Sequence, residues 1–210
     1  MLDAAMQFDN PDRIIGYCAR VSNPANQGNP DVAGLLRYCA THGHWSVFEM
    51  ANAVVEIETT RDIARQILRH RSFSFQEFSQ RYGDVSEMQI DMPMRETRLQ
   101  DTRNRQNSLQ TDDAALKVMW EEAQSDLLRR ARMTYEWALD HGIAKEQARV
   151  VLPEGLTASR LYVNGTLRSW ITYLQVRLDP STQKEHREVA QSVLEALRPA
   201  APIVFGALFP

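Results

Sequence analysis

Between Arg69 and Tyr82 the chain abandons the spacing of any ordinary core element. The run Arg69-His70-Arg71-Ser72-Phe73-Ser74-Phe75-Gln76-Glu77-Phe78-Ser79-Gln80-Arg81-Tyr82 holds three arginines, a histidine, a glutamate and three serines, interleaved with aromatic rings. A buried helix or strand repeats its apolar residues with a period of about 3.6 or 2. Here nearly every second residue can hydrogen-bond instead. Arginine offers a planar fork of donors that matches phosphate or carboxylate oxygens in pairs. Glu77 and Ser79 lie between Arg71 and Arg81, so the stretch can hold an anion and also a planar group that carries donors. By composition alone, a solvated basic loop with incidental aromatics fits as well.

The remainder of the chain narrows the class. Its 210 residues are long enough for a real core, and the hydrophobic and charged fractions of 43% and 24% are ordinary for a globular protein. Net charge is only -3, so the arginine cluster is local, which counts against a dedicated nucleic-acid binder. No apolar run approaches the roughly 18 residues of a membrane span. The N-terminus, with Asp3, Asp9 and Asp12, lacks the basic start and apolar middle of a signal peptide. A cytoplasmic location is the expectation. Cys18 and Cys39 sit in apolar helical contexts and read as small buried hydrophobes.

Local signals then lay out the elements. Asn10-Pro11 reads as an N-cap followed by proline in the first turn, and Asn29-Pro30 repeats the signal, with Gly43 as the stop. His42 and His44 have no third or fourth ligand at fitting spacing, so a metal is not expected. Residues 51–58 alternate as a strand, and Thr60 can cap a helix over 61–69 that carries Arg61, Arg65 and Arg69 on one face. Gln66 lies one turn before Arg69. Residues 83–111 lose periodicity and read as a polar loop; Asp91 and Pro93 lie in it, and its arginines Arg95, Arg98, Arg103 and Arg105 could alternatively form a substrate lid.

From Asp113 to His141 the stripe Leu116, Met119, Trp120, Ala123, Leu127, Ala131, Tyr135 and Ala138 predicts a long helix, facing core or a subunit interface and closed by Gly142. A short helix over 145–152 stops at Pro153. A strand over 159–163 follows, then a helix opened by Asn164-Gly165-Thr166 with Arg177 near its end. Pro180-Ser181 starts what reads as the last helix. The glycines are isolated, so no dinucleotide fingerprint is present. The predicted fold is α+β: one domain over 1–210, with a central antiparallel or mixed sheet flanked by helices.

Arg69-His70-Arg71, then seven residues, then Ser79, with Glu77 before it and Arg81 after it, resembles the signature of the flavin-dependent thymidylate synthases. Gln76 stands where that family usually has Asn. Gln147-Ala148-Arg149 before an aliphatic run and Pro153 resembles a second family segment. The likeness runs from about His44 to the last helix and leaves 83–111 unmatched. It implies that dTMP is made from dUMP, with the one-carbon unit from methylenetetrahydrofolate and electrons from NADPH by way of FAD. It also implies a homotetramer with active sites at subunit interfaces.

The resemblance implies roles residue by residue. Arg69, His70 and Arg71 would line the flavin, and Arg69 would also reach the nucleotide. Glu77 would lie between flavin and nucleotide, while His44 and Ser46 would contact FAD. Gln66, Ser79, Gln80 and Arg81 would form the dUMP pocket, Ser79 and Arg81 holding its phosphate. Arg149 would reach the nucleotide from a neighbouring subunit. Arg177 would face the uracil ring, help ionise N3, and so activate the base for hydride supplied by reduced flavin. Asn164 and Arg168 fall where a further flavin-binding stretch belongs, with a small insertion relative to the family's spacing. Where the family often has a histidine, Ser181-Thr182 stands, with His186 nearby.

The residue inventory agrees with a flavin route. Neither cysteine has the charged neighbourhood that activates a thiol. Two other readings stay open: a single-strand-binding module using Arg69, Arg71, Arg81 and the rings of Phe73 and Phe75, and a homologue that keeps the fold without catalysis.

Overall fold

The computed structural model describes residues 10–88 and 94–210; Asp3, Asp9, Asp91 and Pro93 lie outside them. The centre is a three-stranded antiparallel sheet, β1 (Asn52–Thr60), β5 (Ala158–Thr166) and β2 (Ser74–Glu77), with β5 in the middle. β1 pairs with β5 along its full length, from Asn52 opposite Thr166 to Thr60 opposite Ala158. β2 covers only the Leu161–Asn164 stretch of the other edge. The α+β expectation therefore holds, and the sheet is antiparallel.

β5 explains why one face is core. Leu161, Val163 and Gly165 alternate inward and are buried, while Tyr162 faces out between them. Helix α6 (Leu167–Arg177) returns directly from the end of β5. Thr166 caps it, its Oγ1 accepting from Ser169 N at 3.2 Å. Asn164 and Gly165, expected to open this helix, are strand residues instead. Trp170 and Tyr173 of α6 are fully buried. Trp170 Nε1 donates to Ala53 O at 3.1 Å, fixing α6 across β1. Gly165 carries no side chain for a packing reason: a Cβ there would lie 2.3 Å from the Phe73 ring.

Helices α1 (Pro11–Ala19), α2 (Ala33–Thr41), α7 (Lys184–Leu197) and α8 (Pro202–Leu208) complete the main core. Asn10 caps α1 as expected, Oδ1 accepting from Arg13 N at 3.1 Å. Asn29 does not start α2: its Oδ1 closes a short turn onto Asp31 N at 2.9 Å, and the helix begins later. Ser181 likewise bonds back to Asp179, so α7 begins at Lys184. It is not the last helix. α8 follows, and the buried Asp12 accepts from Ile203 N at 2.9 Å and Val204 N at 3.4 Å, supplying its first turn from the far end of the chain.

The expected loop over 83–111 contains a hairpin, β3 (Arg98–Gln100) with β4 (Ser108–Gln110), whose turn is closed by Asp101, Asn104 and Asn107. Arg95 and Arg98 do not form a free lid. Arg95 lies 2.9 Å from Asp62 and 3.6 Å from Glu185, and Arg98 is ion-paired to Glu185. Thr60 does not cap α3 (Arg61–Ile67), because its hydroxyl donates to Asp62 and accepts from Arg95. Helix α4 (Ala114–Asp140) matches its prediction, with Asp113 capping and Gly142 at φ 74 ending it. Its stripe is split: Tyr135 and Ala138 are buried against Ala148 of α5 (Lys145–Ala148) and Ala131 is buried too, whereas Met119, Trp120 and Leu127 stay exposed.

The glycine at 165 is testable. Gly165→Ala must displace Phe73, and unfolding in urea should show a loss of about 1–3 kcal/mol, the usual cost of overpacking a tight core. A variant as stable as the parent would show that the ring moves freely.

Candidate active site

The signature begins where α3 ends. His70 N bonds back to Ile67 O at 3.0 Å and Phe73 N to His70 O at 3.3 Å, so residues 68–73 form two consecutive turns before β2. Ser169 Oγ of α6 holds the turn from outside, donating to Ser72 O at 3.2 Å. The alternation throws Arg69 and Arg71 into solvent and turns His70 and Phe73 inward. Phe73 lies 4.5 Å from the Trp170 ring and is 8% exposed. A ring packed so deeply is not available to stack on a nucleic-acid base.

His70 meets Arg177, the last residue of α6. Arg177 Nε donates to His70 Nε2 at 2.9 Å. The histidine is therefore a neutral acceptor on that nitrogen, with its proton on Nδ1. Its ring stands edge-on to Tyr173 at 5.0 Å. Burial and the Arg177 charge push its pKa down to about 4. Burial also lowers the Arg177 pKa, with Tyr173 acting against that and Arg69 reinforcing it; Arg69 is thus near enough to repel. Arg177 spends only Nε on the protein, and its two terminal nitrogens have no hydrogen bond among the described residues.

Behind this pair sits His186, fully buried, with a pKa pushed down to about 3 by burial and by Arg177 and His70. Its Nδ1 meets Gln66 Oε1 at 3.1 Å, and Gln66 Nε2 donates to Gln183 Oε1 at 2.8 Å. His186 Nε2 and the Tyr173 hydroxyl are buried and have no hydrogen-bond partner among the described residues. Motif reading passed over Gln183 and noted His186 only for its nearness to Ser181-Thr182; no spacing links either of them to Gln66, more than a hundred residues away.

The second half of the signature begins at Glu77, the last residue of β2. The four strand residues, at about 3.3 Å each, carry the chain roughly 13 Å from the His70 turn to the Ser79 turn. Glu77 Oε1 accepts from Ser159 Oγ at 2.8 Å and lies 3.7 Å from Arg61. Arg61 was legible only as one of a stripe of arginines. Burial lowers its pKa, Glu77 raises it, and the charges of Arg65 and Arg149 lower it, which puts Arg149 in the same neighbourhood. Ser79 is exposed and its carbonyl accepts from Tyr82 N and Gly83 N at 3.0 and 2.9 Å. Gln80 is buried with Nε2 lacking a partner. Arg81 lies 3.4 Å from Glu146, and Lys145 Nζ donates to Tyr82 O at 3.1 Å, so α5 braces this turn.

A third group forms at the other end of the sheet. Arg168 is ion-paired to Glu49, in the same 3-10 turn (Trp45–Met50) as Ser46. His44 precedes that turn. It is placed by Gly43 at φ 71, which ends α2 and lets His44 N reach Cys39 O at 2.9 Å. Tyr38 stacks on His42 at 4.0 Å and meets His44 edge-on at 5.5 Å. Asn164 lies in β5 opposite Ser74 and Val54. The structure thus joins His70, Arg177, Arg69 and Gln66 in one cluster and Glu77 with Arg149 in another. It sets Arg168, Ser46 and His44 in a third. Among the described residues no group of His, Cys, Asp or Glu is placed to hold a metal. Both cysteines are free, and burial raises the Cys39 thiol. No helix among the described residues is long and apolar enough to cross a membrane.

The chain is similar over most of its length to known proteins of one family. A family model described as thymidylate synthase complementing protein matches residues 4–203. A flavin-dependent thymidylate synthase of Synechocystis is 50% identical over 95% of this chain and 90% of its own length. A protein of Paramecium bursaria Chlorella virus 1, named a probable flavin-dependent thymidylate synthase, is 45% identical over 94% of this chain and 90% of its own length. Among solved structures, a UMP/dUMP methylase from Streptomyces cacaoi, crystallised with 5-bromo-dUMP, superposes with a TM-score of 0.73 at 27% identity, covering 93% of this chain and 89% of that one. The chain belongs to the family of thymidylate synthase complementing proteins, the flavin-dependent thymidylate synthases.

Proposed function

We propose that this enzyme converts dUMP to dTMP, with methylenetetrahydrofolate as carbon donor and NADPH as reductant of bound FAD. The observation that carries the reading is Arg177, held by Nε on a neutral histidine with both terminal nitrogens free among the described residues. A guanidinium anchored in this way is a preorganised donor pair for an oxygen or nitrogen that gains charge. Set against uracil, it stabilises the ionised N3 and so favours attack at the base. His70 supports this by staying uncharged: a protonated imidazole would lose its acceptor and repel the guanidinium.

The residues present fit a flavin dinucleotide. Arg69 and Arg71 are exposed cations that make no ion pair among the described residues, a donor set suited to a diphosphate or a ring edge. His44, Ser46, Asn164 and Arg168 extend the same surface at that end of the sheet, where Asn164 pairs with Ser74 and Ser169 bonds Ser72. When bound, the flavin supplies the hydride chemistry, and the protein supplies placement and charge. Ser79 and Arg81 bind the dUMP phosphate with Gln80 beside it, and Gln66 contributes to the nucleotide pocket from the Arg177 cluster. Glu77 stands between flavin and nucleotide, its carboxylate steadied by Ser159. Ser79 has no histidine or lysine base assigned to it, so it binds and does not attack.

Two features support a homotetramer with shared sites. Met119, Trp120 and Leu127 expose an apolar stripe on α4, which a neighbouring subunit would cover. The strand β2 holds the Ser79 turn apart from Arg177 within one chain, so the phosphate-binding half can serve a neighbour's uracil-binding half, with Arg149 reaching across.

The test of the activity is direct. The purified protein should show bound-flavin absorbance, bleached by NADPH under argon faster when dUMP is present, and should release dTMP once methylenetetrahydrofolate is added. A colourless protein that takes up no added FAD would defeat the reading. Arg177→Ala should keep its flavin spectrum while dTMP formation falls by about 3 kcal/mol of transition-state stabilisation, roughly two orders of magnitude; full turnover would remove Arg177 from the chemistry. His186, buried, and His70, half-buried, both have pKa values depressed in the fold, so the unfolded chain binds their protons first. Stability should be complete above about pH 6.5 and be lost as pH falls through about 4. The His70 imidazole, followed by NMR, should not titrate between pH 8 and 6; a midpoint near the ordinary value would contradict its bond to Arg177.

A further inference from the structure

Gln66 is tied into a directional chain of hydrogen bonds that begins at a carboxylate. Glu185, the second residue of α7, accepts from Arg98 on Oε1. Its Oε2 lies 3.6 Å from Arg95 and accepts from Gln183 Nε2 at 3.0 Å. Burial works against the charge of Glu185, yet the bonds from Arg98, its own backbone and Gln183, with the nearby Arg95, hold its pKa below the usual carboxylate range. The group is therefore ionised and can only accept.

That single polarity sets every orientation after it. A side-chain amide can turn either way unless a neighbour decides, since its oxygen and nitrogen occupy nearly the same shape. Gln183 must offer Nε2 to Glu185, because its oxygen there would face a carboxylate. Its Oε1 then points to Gln66 and accepts from Gln66 Nε2 at 2.8 Å. Gln66 is left with Oε1 toward His186, which donates from Nδ1 at 3.1 Å. The end of the chain agrees: a neutral His186 has one N–H to give, and it is fully buried with no other protein partner. Gln183 also occupies the N-cap position of α7 without capping it, so its amide serves the chain in place of the helix end.

We propose that Glu185 and Gln183 are positioning residues for nucleotide binding: they lock the Gln66 amide so that its second N–H, and not its oxygen, faces an acceptor oxygen of the nucleotide. Reversed, Gln66 would set a lone pair against that oxygen. The inference rests on the reading of Gln66 as part of the dUMP pocket. It also gives the 94–100 segment a role at a distance, because Arg95 and Arg98 secure Glu185.

Calorimetric titration of the FAD-loaded protein with dUMP tests it. Gln183→Met keeps the side-chain volume and removes the amide; dUMP should bind roughly five-fold more weakly, the scale of one neutral hydrogen bond, with the flavin spectrum unchanged. Gln66→Ala should also weaken dUMP. The decisive variant is the double substitution: if Gln183 acts through Gln66, Gln66→Ala/Gln183→Met binds dUMP no more weakly than Gln66→Ala. Losses that multiply, or a Gln183→Met protein that binds as the parent does, would overturn the proposal. Gln66→Ala binding dUMP at full affinity would instead remove Gln66 from the pocket. Should Gln183→Met not fold, Gln183→Ala removes the same amide and carries the same cycle.

Discussion

Phe73 seated on Gly165 is the contact on which the remaining structure depends. The ring occupies the space that a side chain at 165 would take, and it reaches Trp170 and Tyr173 behind. It anchors the turn after α3, pairs β2 to β5 in register, and brings α6 back under both. His70 lies three residues before that anchor and Arg177 at the far end of α6. Their meeting follows from the packing of one aromatic residue. The unusual composition of the signature is resolved in the same way: its alternate residues serve a core on one side and a solvent-facing site on the other.

Charge is organised with the same economy. Arg95, Arg98 and Arg160 are matched to carboxylates and hold elements together. Arg69 and Arg71 are left exposed, and Arg177 is held through one nitrogen, with its terminal pair open. The cost of burying polar groups falls on neutral species. His70 and His186 stay unprotonated and act as acceptor and donor, avoiding a buried charge that the fold could not compensate. A neutral imidazole beside Arg177 preserves the guanidinium's charge for a ligand.

The site is spread along the sheet, with His70 and Arg177 near one end of β2 and the Ser79 turn beyond the other. The His44 group lies past β5. Such spacing suits a long ligand that follows the sheet. The former loop over 83–111 gains meaning here as well. Its arginines fasten α3 to α7 through Asp62 and Glu185, and α7 supplies the residues that hold Gln66.

The sequence by itself determined elements whose hydrogen bonds close within a few residues. Asn10 capping α1, Asp113 and Gly142 bounding α4, and the alternation of β1 are all written in windows of one or two turns. The spacing of the signature also resembles that of the family to which the chain belongs. Tertiary structure alone decided where partners come from distant segments. α8 takes its cap from Asp12, and Asn29 and Pro180-Ser181 spend their helix-starting signals on local turns. Gln66 acquires its orientation from Gln183 and Glu185 across more than a hundred residues. The physical reason is range: periodicity and capping record what a residue does to its neighbours in the chain. Burial, ion pairing and the direction of an amide depend on groups that only folding brings within about 3 Å.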